Sequence, residues 1–154
     1  MRINTKCSLA IHILLLVAAF SDSNKMTSEI IAKSTGNNPV IIRNILGSLK
    51  KAGIVHVQQG SGGTKLALPP SEITLWDIYQ AVDPVSLDNL IGIHANPSSI
   101  CPVGKRINML LAEPYGAVTD AVQKSMSEYT LADIIRRYEA SVQDEKANEG
   151  DYDG

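Results

Sequence analysis

Residues 38–68 constrain this chain more than any other stretch, because there the pattern changes from helix to strand and then doubles back. Asn38-Pro39 opens a helical pattern with Val40, Ile41, Ile45, Leu46 and Leu49 as its apolar positions, and Lys50-Lys51-Ala52-Gly53 closes it. Residues three and four apart share one helical face, proline in the first turn has no hydrogen bond to lose, and glycine supplies a stop. Ile54-Val55-His56-Val57 follows as a β-branched strand, and Gln58 to Thr64, with three glycines, reads as a hairpin tip. Lys65-Leu66-Ala67-Leu68 is the return strand, stopped by Pro69-Pro70. A helix with a basic end that runs straight into a small hairpin is the layout of a winged helix-turn-helix.

The residues upstream supply the rest of such a unit. Leu9 to Phe20 is the most apolar run, with Arg2 and Lys6 before it. It falls short of the ~20 residues a bilayer needs. His12 interrupts it and no small-x-small cleavage pattern follows, so neither a leader nor a membrane span is expected. Leu9, Ile13, Leu16 and Phe20 share one face while Leu14, Leu15 and Val17 cover another, which predicts a central helix buried nearly all round. His12 is then a core or interface histidine rather than a ligand. Ser21-Asp22-Ser23-Asn24 reads as a turn, and Thr27 or Ser28 caps a short helix through Glu29-Ile30-Ile31-Ala32-Lys33 that stops at Gly36. Asn37-Asn38 caps the next helix.

Charge points to the partner. Residues 1–66 hold eight Lys/Arg against two Asp/Glu, a net of +6, while residues 67–154 carry −8. A basic half beside an acidic half suggests that the first half meets a polyanion, here double-stranded DNA. The second helix of the pair would put its N-terminal turns in the major groove, presenting Asn38, Val40, Ile41, Arg43 and Asn44. Arginine pairs bidentately with guanine and asparagine with adenine. Thr27, Ser28 and Asn37 stand where hydroxyl and amide groups hold phosphates, and Lys6 and Lys50, with Lys51 beside it, add phosphate contacts. Ser61, Gly62, Gly63 and Lys65 form the wing's share of the surface.

Other readings are weaker. Gly60 to Lys65 resembles a phosphate loop only superficially, since the order is Gly-Thr-Lys and a strand follows instead of a helix. His12, His56, His94 and the two cysteines are scattered, with no nucleophile–base spacing or paired carboxylates, so an enzyme is not expected. No metal ligand set and no cofactor are expected. A winged helix that docks a protein and no DNA stays open as the alternative, disfavoured by the basic half.

Five motifs then follow one another in register: Met1-Arg2-Ile3, Thr27-Ser28-Glu29-Ile30-Ile31-Ala32, Leu49 to Val55, Gly60-Ser61-Gly62-Gly63, and Ile73-Thr74-Leu75-Trp76-Asp77-Ile78-Tyr79. Their order resembles the IscR/NsrR/CymR type of bacterial winged-helix repressors over nearly the whole chain, more weakly after about residue 84. The resemblance implies a homodimer on a palindromic operator, joined through a long helix in the C-terminal half, and the two cysteines argue for a reducing, cytoplasmic compartment. Iron–sulfur members carry three closely spaced cysteines before that helix; here Cys101 stands alone, with His94 nearby, so no cluster is expected. Arg43 stands where those members commonly carry an acidic residue, which implies a different operator. Gln58-Gln59 replaces the usual wing arginine, which implies weaker wing contacts.

The expected fold is mainly α with a small β-hairpin: a winged helix-turn-helix over residues 1–83, a loop and dimerisation helices over 84–139, and an acidic disordered tail over 140–154. Thr74, with Asp77 three residues on, caps a short helix through Val82. From Val103 a helical stripe of Ile107, Leu110, Leu111, Val118, Val122, Met126 and Tyr129 has too little in its own half to cover it, hence a second chain. Pro114 predicts a kink or a fresh start, and Thr130 caps a last helix, Leu131 to Tyr138. Cys101-Pro102 is read as the start of the dimerisation helix, with Lys105-Arg106 one turn on; helix N-terminus and cations both favour thiolate, so Cys101 is a redox candidate. A small capping or packing role is the other reading, and Cys7 is read first as structural. Which effector gates the protein is not legible.

Overall fold

A computed structural model describes residues 5–58, 60, 62–84 and 90–150 of the chain. Six helices and one hairpin appear among them: α1 (Thr5–Phe20), α2 (Ser28–Thr35), α3 (Pro39–Lys51), β1 (Val55–Gln58), β2 (Gly63–Leu66), α4 (Leu75–Val82), α5 (Ile107–Glu128) and α6 (Leu131–Gly150). Short 3₁₀ turns precede α4 (Pro70–Glu72) and α5 (Gly104–Arg106). The expected class, mainly helical with one antiparallel hairpin, is what the chain adopts.

The local signals work as their chemistry dictates. Thr27 Oγ1 accepts from Ile30 N at the start of α2, and Gly36 closes that helix in the left-handed region at φ 67°. Asn38 Oδ1 accepts from Val40 N, with Pro39 in the first turn of α3. The α3 exit turns at Gly53, φ 76°, where Gly53 N donates to Lys50 O and Ile54 N to Leu49 O. Such caps satisfy orphan end groups, each worth about 1 kcal/mol.

The core gathers Ala10, Ile13, Leu14 and Val17 of α1, Ile31 of α2, Ile42, Ile45, Leu46 and Leu49 of α3, Val55 of β1, and Ile78 of α4. Leu131 at the start of α6 joins them, fully buried. Burying a side chain of this size contributes roughly 1.5–3 kcal/mol. Two matched capping boxes tie the last helix to the winged unit. Thr74 and Asp77 exchange hydrogen bonds at the head of α4 (Asp77 N to Thr74 Oγ1, 3.1 Å; Thr74 N to Asp77 Oδ2, 2.8 Å). Thr130 and Asp133 repeat the pattern at the head of α6. Between them Leu75 N donates to Tyr129 O and Leu131 N to Ile73 O, a two-bond bridge between residues far apart in sequence.

Several expectations need correction. α1 is not buried all round: Cys7, Ala10, Ile13, Leu14 and Val17 face the core, Leu9 and Leu16 are half-buried, and His12 and Phe20 are exposed. Core residues come from both expected faces, Ile13 from one and Leu14 and Val17 from the other, while His12 and Phe20 are left outside, so His12 is not a core residue. In α3, Ile42 takes a core position that the pattern had not assigned, while Val40 and Ile41 face outward. Both strands shift: Ile54 is spent on closing α3, and pairing runs from Val55↔Leu66 to Gln58↔Gly63. Pro114 does not start a fresh helix, because α5 passes through it. One missing N–H and a displaced carbonyl are tolerable where water can reach the backbone. Cys101 is not the N-cap of α5; the 3₁₀ turn intervenes, and the helix proper begins at Ile107. The last helix does not stop at Tyr138: residues 140–150 continue α6 and are not a disordered tail. Ala, Gln, Glu and Lys are good helix formers, and a start anchored by Thr130 lets them propagate.

Candidate nucleic-acid interface

The candidate surface is built on α3, whose inner face is buried and whose outer face is exposed. Ile42, Ile45, Leu46 and Leu49 fix the helix in the core. Arg43 and Asn44 are therefore held outward in the N-terminal half, beside Val40 and Ile41, about half exposed at 54% and 46%. Exposed aliphatic groups at this end of a reading helix suit contact with a thymine methyl.

A cleft of about 310 Å³ joins α3 to α2 and the hairpin. Thr27, Ser28 and Glu29 line it from α2, Arg43, Gly47 and Lys50 from α3, and Gln58, Gly60, Gly63 and Thr64 from the wing. Spacing of four and three puts Arg43, Gly47 and Lys50 on one face of the helix. The wing is set against this cleft by its root. Gly63 has φ 75°, and a Cβ there would lie 2.8 Å from Met26 N, so the hairpin can approach the α1–α2 turn only with glycine. Thr64 N then donates to Met26 O at 2.9 Å, which pins the strand to that turn.

The structure thus brings Thr27, Ser28, Arg43, Lys50 and Gly63 together. Lys65 is not in the cleft: it pairs across the hairpin with His56 and lines a separate cavity of about 350 Å³ with Leu15, Asp22 and Glu139. Lys6 sits in the first turn of α1, and Gly62 lies against Gln58, whose side chain a Cβ at Gly62 would strike. Ser61 lies outside the described residues. Asn38 and Asn37 are partly committed already. The Asn38 carbonyl caps α3, and Asn37 Nδ2 donates to Thr35 O at 2.9 Å, so each has one polar atom fewer for DNA than the sequence suggested.

Several residues of the cleft were not among the expected site residues, Gly60 and Thr64 of the wing included. Glu29 Oε1 accepts from Arg43 Nη1 at 3.1 Å, an exposed ion pair bridging α2 and α3. Its own backbone N–H and the Ser28 hydroxyl hold the Glu29 carboxyl below the ordinary value, with Arg43 adding to the effect. Gly47 was missed as well, although a glycine midway through a helical pattern, at a cost of about 1 kcal/mol, was a legible signal.

The two thiols differ sharply. Backbone N–H groups of Gly104 and Val103 point at the exposed Cys101 sulfur and lower its pKa. Gly104 permits that turn, since a Cβ there would sit 2.5 Å from Ser98 O. Cys7 is buried, and desolvation, then the Asp83 charge, raises its pKa.

Geometry and charge together define a winged-helix DNA-binding module. The family model described as "Rrf2: Iron-dependent Transcriptional regulator" matches residues 3–137, and the chain belongs to that family of transcriptional regulators, which are not enzymes. It is 38% identical over 133 residues to YwnA of Bacillus subtilis strain 168, which bears a provisional designation as an HTH-type transcriptional regulator; the match covers 86% of this chain and 96% of the relative. Among solved structures, one provisionally described as a DNA-binding protein shares 35% identity at a TM-score of 0.69, covering 84% of this chain and 98% of that one. CymR (YrzC), described as the global cysteine regulator of B. subtilis, shares the fold at a TM-score of 0.63 and 21% identity, over 88% of this chain and 97% of CymR.

The family description names iron, and the donor set can be tested against it. No three His, Cys, Asp or Glu side chains come together among the described residues, and the two cysteines lie apart in environment, one buried in α1 and one exposed before α5. These residues do not fit an iron or iron–sulfur site. No described helix is long and apolar enough to cross a membrane.

A pH series of alkylation checks the thiol assignment. Because only thiolate reacts, Cys101 labelling should reach half its maximal rate at a lower pH than a free cysteine, and Cys7 should label only slowly until the chain unfolds. Equal rates at both positions would contradict it.

Proposed function

We propose that this chain is a homodimeric cytoplasmic repressor that reads a palindromic operator with α3 and is gated by oxidation of Cys101. The observation that carries the DNA reading is the single cleft that gathers Arg43 and Lys50 against the capped start of α2 and the wing. Arg43 and Asn44 read base edges, Val40 and Ile41 meet thymine methyls, and Lys50, Lys6, Thr27, Ser28 and Asn37 meet phosphates. The wing contributes through backbone and Gln58 more than through Lys65, which faces another cavity.

The dimer reading is supported by α5. This 22-residue helix has no buried residue in the single chain. Leu111, Val122 and Met126 are half-buried, and Met126 packs on the core, so part of the apolar stripe is used internally. Leu110 and Val118 are left 56% and 42% exposed, and Ile93, Ile100, Val103 and Met109 are exposed as well. Tyr129 is 42% exposed, with Arg137 Cζ 5.9 Å from its ring centre. A second copy of α5 would bury this surface.

For gating, the Cys101 thiolate attacks a peroxide oxygen, the O–O bond breaks, and water leaves once the hydroxide is protonated. Sulfur is oxidised to sulfenic acid and the peroxide is reduced. The modified residue sits five residues before Arg106, at the threshold of α5, where it can alter dimer geometry.

Three measurements test these proposals. After selection of bound duplexes from a random pool, Arg43→Ala should lose about 1–3 kcal/mol on the selected duplex and relax preference, whereas Lys50→Ala should weaken all duplexes alike and reduce the salt slope by about 1. Equal loss on scrambled DNA would reduce Arg43 to a phosphate contact, and absent or salt-insensitive binding would favour a protein-docking module. Sedimentation should find a dimer that Leu110→Glu dissociates; an unchanged mass would remove α5 from the interface. Peroxide should change DNA affinity in the native chain and not in Cys101→Ser, and a response shared by both would exclude the thiol as sensor.

A further inference from the structure

We propose that Glu29 determines sequence specificity by acting through Arg43. The inference rests on Arg43 reading DNA and names the residue that disciplines it. Glu29 is one of two acidic residues in the first 66 positions, which otherwise carry eight cations, and the one acidic residue lining the cleft that faces DNA. A carboxylate there weakens contact with any phosphate backbone, so on general affinity alone it is a disadvantage.

The geometry supplies what it gives in return. Glu29 Oε1 holds Arg43 Nη1 at 3.1 Å, and both side chains are more than half exposed. That single contact leaves the Nη2–Nε edge of the guanidinium to pair with O6 and N7 of guanine, the bidentate geometry that discriminates bases. Glu29 is mounted on a fixed backbone. It stands in the first turn of α2, whose cap Thr27 Oγ1 bonds Ile30 N, and α2 packs on α3 through Ile31 and Ala32. A long arginine that would otherwise sample many rotamers is thereby oriented from a second helix. The same negative charge disfavours registers in which Arg43 swings away to a phosphate, because Glu29 would then face the backbone unpaired. Glu29 is a positioning residue, and its effect is a trade of general affinity for discrimination.

The test uses the full chain, a duplex selected from a random pool, and a scrambled duplex of equal length. Glu29→Ala should bind scrambled DNA ~3–10-fold more tightly, as expected when one negative charge leaves a phosphate-facing surface. The ratio of selected to scrambled affinity should fall by at least ~5-fold. In an Arg43→Ala background the same substitution should leave the already reduced ratio unchanged. A uniform gain on both duplexes would make Glu29 a simple electrostatic brake and overturn the proposal. A fall in the ratio that persists without Arg43 would overturn it too. If Arg43→Ala leaves the ratio intact, readout by Arg43 itself is wrong; if it collapses the ratio while Glu29→Ala does not, the failure belongs to Glu29 alone.

Discussion

The functional surface depends on one close approach: the root of the hairpin against the turn between α1 and α2. Gly63 lies so near Met26 N that any Cβ would collide, and the neighbouring Thr64 N spends its hydrogen bond on Met26 O. That contact sets where the wing stands relative to the start of α2. Because α3 runs directly into β1 through the Gly53 turn, it also sets the wing relative to α3. The cleft shared by Ser28, Glu29, Arg43, Lys50 and Gln58 exists only because these three elements are held at once. A hairpin of two short strands has little stability of its own, so this anchoring to the helical core gives it a fixed position.

A second tie extends that order to the C-terminal half. The Thr74–Asp77 and Thr130–Asp133 boxes each satisfy the end groups of a helix, and the two bridging bonds between residues 73–75 and 129–131 join them. Leu131 is buried in the winged unit's core, so α6 is part of that unit's packing and not a separate appendage. α5 lies between the two anchor points in sequence and has no buried residue of its own. Cys101 and the Gly104 turn sit just before α5, and Met126 near its far end packs on the core.

Much of this was legible in residue order. Thr27, Gly36, Asn38-Pro39, Gly53 and Thr74-x-x-Asp77 are local signals whose chemistry is complete within one turn, and each acts in the structure as its type dictates. Most of the errors share one cause. Which apolar residues of α1 meet the core, whether Ile41 or Ile42 points inward, and whether Pro114 breaks a helix all depend on neighbours that are distant in sequence. The length of α6 was misjudged differently. Acidic composition was given more weight than the helix propensity of the residues that carry the charge.

By itself the sequence determined the class of this protein: the order of helices and hairpin, the basic half beside the acidic one, and the Arg43–Asn44 pair on an exposed helical turn. These follow from short-range periodicity, capping and charge, which need no tertiary partner. Only the tertiary structure decided which of the candidate residues form one surface. It set Lys65 apart from the cleft and placed Glu29 of one helix against Arg43 of the next, fourteen positions away. The reason is physical: a hydrogen bond between helices depends on how their buried faces pack, and no local pattern specifies that packing.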